Sequence, residues 1–170
     1  MPKKKMTNDD TDKKIRIGWF TFLCSEDSTI VMTEIMNDKW QEWKKTFDFR
    51  HARVLKSKNI LDQLDIAFIE GAIASDEHIA QLKEIREKSK KLVAIGSCAV
   101  TGMPSAQRNF FAEPQKQEIE FLLTRFKALP RVMKVSDVVR VDMEVGGCPM
   151  EPSKFLEVVE KLTKELKKTS

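Results

Sequence analysis

Leu64-Asp65-Ile66-Ala67-Phe68-Ile69, closed by Glu70-Gly71, reads as a buried strand: five of its six residues are apolar. A short run of this kind, apolar on both faces, belongs inside a parallel sheet covered by helices. Working outward, residues 91–96 (Lys91-Leu92-Val93-Ala94-Ile95-Gly96) give a second such run, and Ile15-Arg16-Ile17-Gly18-Trp19-Phe20-Thr21-Phe22 a third. Residues 49–55 alternate roughly between apolar and polar, which predicts another strand, and residues 138–145 predict the last.

Helical patterns fill the intervals. Small polar residues and acids at Ser25-Glu26-Asp27-Ser28 predict a helix start. Ile30, Val31, Ile35, Met36, Trp40 and Trp43 carry that helix to about Lys45. Asp76 opens a second through Ile79, Leu82 and Ile85 to Lys88. Residues 115–127 predict a third through Ile119, Leu122, Leu123 and Phe126, and Pro152 opens a final amphipathic helix. Gly102, Pro104 and Asn109 mark an irregular loop. Strands alternating with helices predict an α/β fold, a flavodoxin-like doubly wound parallel sheet. It forms a single domain over residues 15–170, preceded by a disordered, charged tail over residues 1–14.

The chain of 170 residues is long enough for one core without covalent staples, and its 41% hydrophobic and 33% charged residues are ordinary for a globular protein. No stretch reaches the roughly 18 apolar residues of a membrane span, and no signal peptide or twin-arginine motif is present, so the expected location is cytoplasmic. The net charge of +4 comes largely from lysines near both ends, which reads as solvated surface and predicts no nucleic-acid partner. There is no GxGxxG or Walker-type loop, so no nucleotide site is indicated. Ten phenylalanines fall mostly in core-like patterns.

Three cysteines, Cys24, Cys98 and Cys148, each sit just past a strand-like run. In an open parallel sheet, strand ends of one polarity lie along one rim, where ligands bind. Three thiols on such a rim in a reducing compartment point to a metal centre rather than a disulfide scaffold, although three unrelated buried cysteines would give the same count. Paired CxxC spacing for zinc is absent, and an iron–sulfur cluster accepts scattered ligands more readily. Gly96 and Gly146-Gly147 let the backbone approach a bulky inorganic group and leave N–H groups for its sulfides.

Phe22-Leu23-Cys24-Ser25-Glu26-Asp27-Ser28, Ala94-Ile95-Gly96-Ser97-Cys98-Ala99 and Gly146-Gly147-Cys148-Pro149 resemble the cluster-binding segments of the small subunit of nickel–iron hydrogenases. They are also similar to the homologous iron–sulfur subunit of respiratory complex I. The resemblance runs from about Ile15 to Leu166 and takes in Asp65 to Gly71, which resembles a segment that approaches the partner. It implies one 4Fe-4S cluster on Cys24, Cys98 and Cys148, beside the active site of a hydrogenase large subunit. Electrons would pass to diaphorase-type iron–sulfur and flavin subunits using NAD, or to ferredoxin. It implies no nickel in this chain, which lacks the two CxxC pairs of a nickel site. A membrane-associated energy-converting hydrogenase or complex I-like assembly would use the same fold, and a cluster-free binding module is the third reading.

One departure matters. The family's further cysteine falls on Thr21 in the hydrogenase alignment, and on Leu23 or Ser25 in the complex I alignment. Asp27 is the candidate fourth ligand, with Ser25 and Glu26 as rivals; otherwise the site takes water or holds a 3Fe-4S cluster. Glu26 matches a family glutamate placed to relay protons, and a first-turn helix acid is the alternative reading. Of the two histidines, His78 reads as an inert, exposed helix-start residue and His51 as a strand-edge residue. Arg108-Asn109 reads either as a charge partner of the cluster or as a loop-structuring pair. Trp40, Trp43, Met32 and Met36 form an apolar helix face for core or subunit contact.

Overall fold

The computed structural model describes residues 14–169; of the tail expected over residues 1–14, all but Lys14 lies outside the described residues. In chain order the elements are β1 (Ile15–Thr21), α1 (Asp27–Thr46), β2 (Phe47–Ala52), β3 (Leu64–Glu70), β4 (Ile73–Ser75) and α2 (Asp76–Glu87). There follow β5 (Ser89–Ile95), α3 (Gly96–Thr101), α4 (Glu113–Arg125), β6 (Ala128–Met133), β7 (Met143–Val145) and α5 (Pro152–Thr169).

The central sheet runs β2-β1-β3-β5-β7, every pair parallel. This is the flavodoxin-like order predicted from the alternation of strands and helices. Every residue of β3 is buried, as a strand in the middle of a doubly covered sheet must be. One face, with Ile17, Trp19, Phe68 and Val93, packs under Met32, Met36 and Trp43 of α1 and Phe155 and Leu162 of α5. The other face, with Phe20, Ala67, Ile69 and Leu92, packs under Leu82 and Ile85 of α2. Each face hides its apolar stripe under helices whose spacing of three or four residues was legible in the sequence.

Four differences from the sequence-based expectations have physical causes. β2 starts at Phe47, directly after α1, and ends at Ala52, where the Asn59 side chain accepts the Ala52 N–H at 2.8 Å and the chain turns. The last strand shrinks from 138–145 to Met143–Val145. Asp142 takes the Leu92 N–H with its carboxylate at 2.8 Å, while Val138, Val139 and Val141 fill the α2-side core from irregular backbone. An antiparallel ribbon of β4 and β6 was not foreseen, since β4 has three residues and Pro130 breaks the strand pattern of β6. Finally, α4 buries none of its residues, so Ile119, Leu122 and Leu123, with Phe126 beyond its end, are not the core positions their spacing predicts.

At the N-terminal ends of the strands Asp65 of β3 clamps three of them together. It accepts the Arg16 N–H at 2.8 Å and pairs with Arg16 Nε at 3.2 Å and Lys90 Nζ at 2.8 Å. Burial pushes its carboxyl up, but the bonds from Lys90 and Arg16 outweigh burial and hold it at about 2, below the ordinary 3.8. The stability it contributes is complete above 3.8 and is lost as pH falls toward about 2. Acid unfolding followed by far-UV circular dichroism is therefore expected to show a lower neutral stability and a flatter decline across that window in Asp65→Asn. An acid limb identical to that of the parent would contradict the clamp.

Candidate metal centre at the strand-end rim

The register of the sheet aligns the three cysteine loops. Thr21 pairs with Glu70, Glu70 with Ile95, and Ile95 with Val145, so the last residues of four strands form one row. Each cysteine stands three positions beyond its row member: Cys24 beyond Thr21, Cys98 beyond Ile95 and Cys148 beyond Val145. Adjacent strands lie about 4.8 Å apart, so loops leaving β1 and β5, on either side of β3, start roughly 10 Å apart. They then close over β3. Cys98, 8% exposed, sits in an apolar cluster with Ala72, Ala74, Ala106 and Val132, and Cys24 packs against that cluster.

Hydrogen bonds stitch these loops to one another. Ser28, just past Cys24, accepts the Met150 N–H at 3.1 Å with its hydroxyl, fixing the loop that carries Cys148. Ser97 donates its N–H to Gly147 O at 2.7 Å, which joins the Cys98 and Cys148 loops. The Ser105 hydroxyl lies 3.1 Å from Leu23 O and 3.2 Å from Cys98 Sγ, joining the Cys24 and Cys98 loops. Leu23 and Ala72 exchange backbone bonds of 3.0 and 2.9 Å. That exchange requires glycine at position 71: its φ is +93°, and a Cβ there would come within 2.9 Å of Phe22 C.

Glu70 is the electrostatic centre of the rim. It is 3% exposed, accepts the Ser28 N–H at 2.9 Å and the Thr29 hydroxyl at 2.5 Å, and Thr29 in turn accepts Trp19 Nε1 at 2.8 Å. Glu26 precedes α1 in a left-handed conformation (φ 63°) and provides no side-chain cap, so Glu70 caps the helix from the neighbouring strand. Burial pushes the Glu70 carboxyl up, against the pull of its bonds from Thr29 and Ser28. Burial also pushes the Cys24 thiol up to about 12, with the charges of Glu70 and Cys98 adding to the effect. Cys24 is thus held as a thiol by an environment that a cationic metal would invert.

The expected site residues fall into two groups. Cys24 and Cys98 are together, and the exposed Cys148 is tied to them through Gly147 and Met150. Asp27 is half-buried and its carboxylate accepts the Ser25 hydroxyl at 2.8 Å, while Glu26 is exposed. Glu26 lines a cavity of about 500 Å³ together with Phe22, His51, Arg53 and His78. His78 is not an exposed helix-start residue: it is half-buried with its ring edge against Phe22, and burial lowers its pKa. His51 stacks on Phe20 at a strand end. Asn109 holds Val132 by two 2.8 Å bonds and Arg108 donates to Leu129 O at 2.7 Å, so that pair structures its loop.

Among the described residues no group of three or more His, Cys, Asp or Glu side chains could hold a single metal ion. A polynuclear cluster makes a different demand, because each iron takes its own thiolate and the thiols stand further apart. The three cysteine loops, aligned by register and joined by Ser28, Ser97 and Ser105, fit that demand, with one soft ligand from each loop. Glu70 and the Ser28 hub were missed in the sequence. The available signal was an acid closing a strand that is otherwise almost wholly apolar.

A family profile described as "NADH ubiquinone oxidoreductase, 20 Kd subunit" matches residues 24–162, from the first cysteine to the middle of α5. The chain belongs to this family. Within it, the chain is 31% identical over 133 residues to a subunit of the F420-non-reducing hydrogenase of Methanothermobacter marburgensis, covering 69% of this chain and 43% of that protein. It is 29% identical over 122 residues to the delta subunit of the NAD-reducing hydrogenase HoxS of Cupriavidus necator, covering 62% of this chain and 58% of that one. The chain therefore spans about half the length of these relatives, which are subunits of oxidoreductase complexes. The crystal structure of an NAD+-reducing NiFe-hydrogenase in the H2-reduced state superposes with a TM-score of 0.78 over 90% of this chain and 93% of that one, at 24% identity. This family member thus shares the fold of a chain of that hydrogenase.

Glu70→Ala is expected to leave the Ser28 N–H and Thr29 hydroxyl unmet and to cost about 1–3 kcal/mol in denaturant unfolding. Glu70→Gln, which keeps acceptor and size, is expected to cost less. Equal losses would remove the capping role.

Proposed function

We propose that the chain is the electron-transfer small subunit of a cytoplasmic nickel–iron hydrogenase, with one 4Fe-4S cluster bound by Cys24, Cys98 and Cys148. The observation that carries the reading is the row Thr21–Glu70–Ile95–Val145, with a cysteine three residues beyond three of its four members. The family match over residues 24–162 and the hydrogenase names of the relatives support it. When bound, the cluster supplies one-electron transfer between the nickel–iron site of a large subunit and NAD-, flavin- or ferredoxin-linked partners.

The chain's own residues prepare the site. The apolar cluster of Ala72, Ala74, Ala106 and Val132 keeps water from the Cys98 side. Ser105 places a hydroxyl on Cys98 Sγ, and a hydrogen bond to a ligating sulfur raises a cluster's potential. Glu70 holds α1 against β3 and so fixes the start of the Cys24 loop. Asp27 is the proposed fourth ligand, which requires its carboxylate to leave Ser25; Glu26, beside the cavity, is the proposed proton relay. The family's complex I description favours one second reading, a complex I-like or energy-converting assembly at a membrane. No helix among the described residues is long and apolar enough to cross one.

The test is anaerobic co-expression with the neighbouring large subunit and assay of hydrogen-dependent viologen reduction. Cys98→Ala is expected to abolish the activity and the visible cluster absorption together. Asp27→Cys is expected to retain iron while altering the cluster spectrum. Full activity in Cys98→Ala would sink the electron-relay reading, and an unaltered Asp27→Cys spectrum would remove Asp27 as ligand.

A further inference from the structure

Two half-buried histidines from different elements line the cavity at the end of β1: His51 from β2 and His78 from the first turn of α2. They take alternate residues of the segment that leads to Cys24. His51 stacks on Phe20 with ring centroids 4.2 Å apart, and His78 sets its ring against Phe22 at 5.2 Å.

His78 ties three pieces of chain together. Its backbone N–H goes to the Ser75 hydroxyl at 3.1 Å, which caps α2. Its Nδ1 accepts the Ala74 N–H of β4 at 3.4 Å, and its ring meets Phe22. Ala74 lies in the apolar cluster of Cys98. Leu23, the residue after Phe22, exchanges backbone bonds with Ala72 on the same stretch. The imidazole and that exchange together hold Phe22 and Leu23 onto residues 72–74.

An acceptor at Nδ1 exists only in the neutral ring. The imidazolium carries a proton on both nitrogens, so it would aim one N–H at another and place a charge against Phe22. His51 differs. Its Nδ1 faces Trp19 O at 3.1 Å, so it donates there and still donates when protonated. Acid therefore breaks the bond at His78 and spares the one at His51. Around the cavity, Glu77 of α2 and Glu26 before α1 favour a cation, while Arg53 and His51 oppose one. Burial favours neutral His78 against the pull of Glu77.

We propose that His78 is an acid-released latch on the loop that carries Cys24. Neutral, it holds Phe22 against β4; protonated, it lets the segment Phe22–Cys24 come away from residues 72–74 while the central sheet stays folded. The proposal concerns the loop itself and stands whether or not a cluster occupies it. Because the folded chain favours the neutral ring, the latch is fully closed above the ordinary 6.5 and opens as pH falls below it.

The test is hydrogen exchange of the Leu23 and Ala72 amides in the full chain, read as protection against the intrinsic rate at each pH. Between about pH 7.5 and about pH 5 their protection is expected to fall about fivefold or more, while the amides of β3 keep theirs. His78→Asn offers an oxygen acceptor that does not titrate, so it is expected to abolish that pH dependence. Unchanged protection in the parent, an equal fall in His78→Asn, or a parallel fall across β3 overturns the proposal. Should His78→Asn fail to fold, nitrogen NMR of the parent decides. Neutral His78 is expected to carry its proton on Nε2 and to titrate where Leu23 loses protection. A proton on Nδ1, or a separate midpoint, overturns the latch.

Discussion

The site depends on one constraint, the parallel register that sets Thr21, Glu70, Ile95 and Val145 side by side. A strand's side chains alternate between faces, so a slip of one residue in any strand would turn its core residues toward the wrong layer. The buried faces of the sheet therefore fix the register, and the register fixes where each cysteine loop begins. Three cysteine loops, whose thiols are separated by 74 and 50 positions from Cys24 to Cys98 and from Cys98 to Cys148, leave one rim without any local motif joining them. Core packing and the placement of the three cysteine loops are one problem in this protein.

Electrostatics link that geometry to loading. Among the described residues the rim gathers a buried carboxylate and two neighbouring thiols with no cationic side chain bonded to Glu70, and burial holds Cys24 in its thiol form. A bound iron–sulfur core would take these cysteines as thiolates and release their protons. Loop order and cluster binding should then rise together, because Ser28, Ser97 and Ser105 tie each cysteine loop to another. The bonds of Glu70 at the start of α1 place the Cys24 loop beforehand, and the clamp at Asp65 holds the same strands at their opposite ends.

Much of this was legible in the sequence, and the remainder failed for definite reasons. The buried run 64–70 announced the central strand, and the apolar spacing of Met32, Met36 and Trp43 announced the helix face that covers it. The cysteines stood out because each followed such a run. Glu70 did not, since an acid at a strand end looks like a simple stop signal until its partners Ser28 and Thr29 are known. The β4–β6 ribbon was hidden by its shortness and by Pro130. Helix α4 misled because its spacing of Ile119, Leu122, Leu123 and Phe126 is that of a core helix. Periodicity reports that a face is apolar, not whether this chain or another protein covers it. The identity of a fourth ligand was beyond the pattern, because side-chain reach from the Ser25-Glu26-Asp27 turn depends on loop conformation rather than residue type.

The central claim is that Cys24, Cys98 and Cys148 together hold an iron–sulfur cluster. Its most direct test is iron and acid-labile sulfide content, combined with low-temperature EPR, on protein purified anaerobically with its neighbouring subunits. The account predicts about four irons and four sulfides per chain, with a reduced-state cluster signal. Iron-free protein in which all three cysteines alkylate freely would contradict it and leave a flavodoxin-like subunit that has lost the chemistry of its rim.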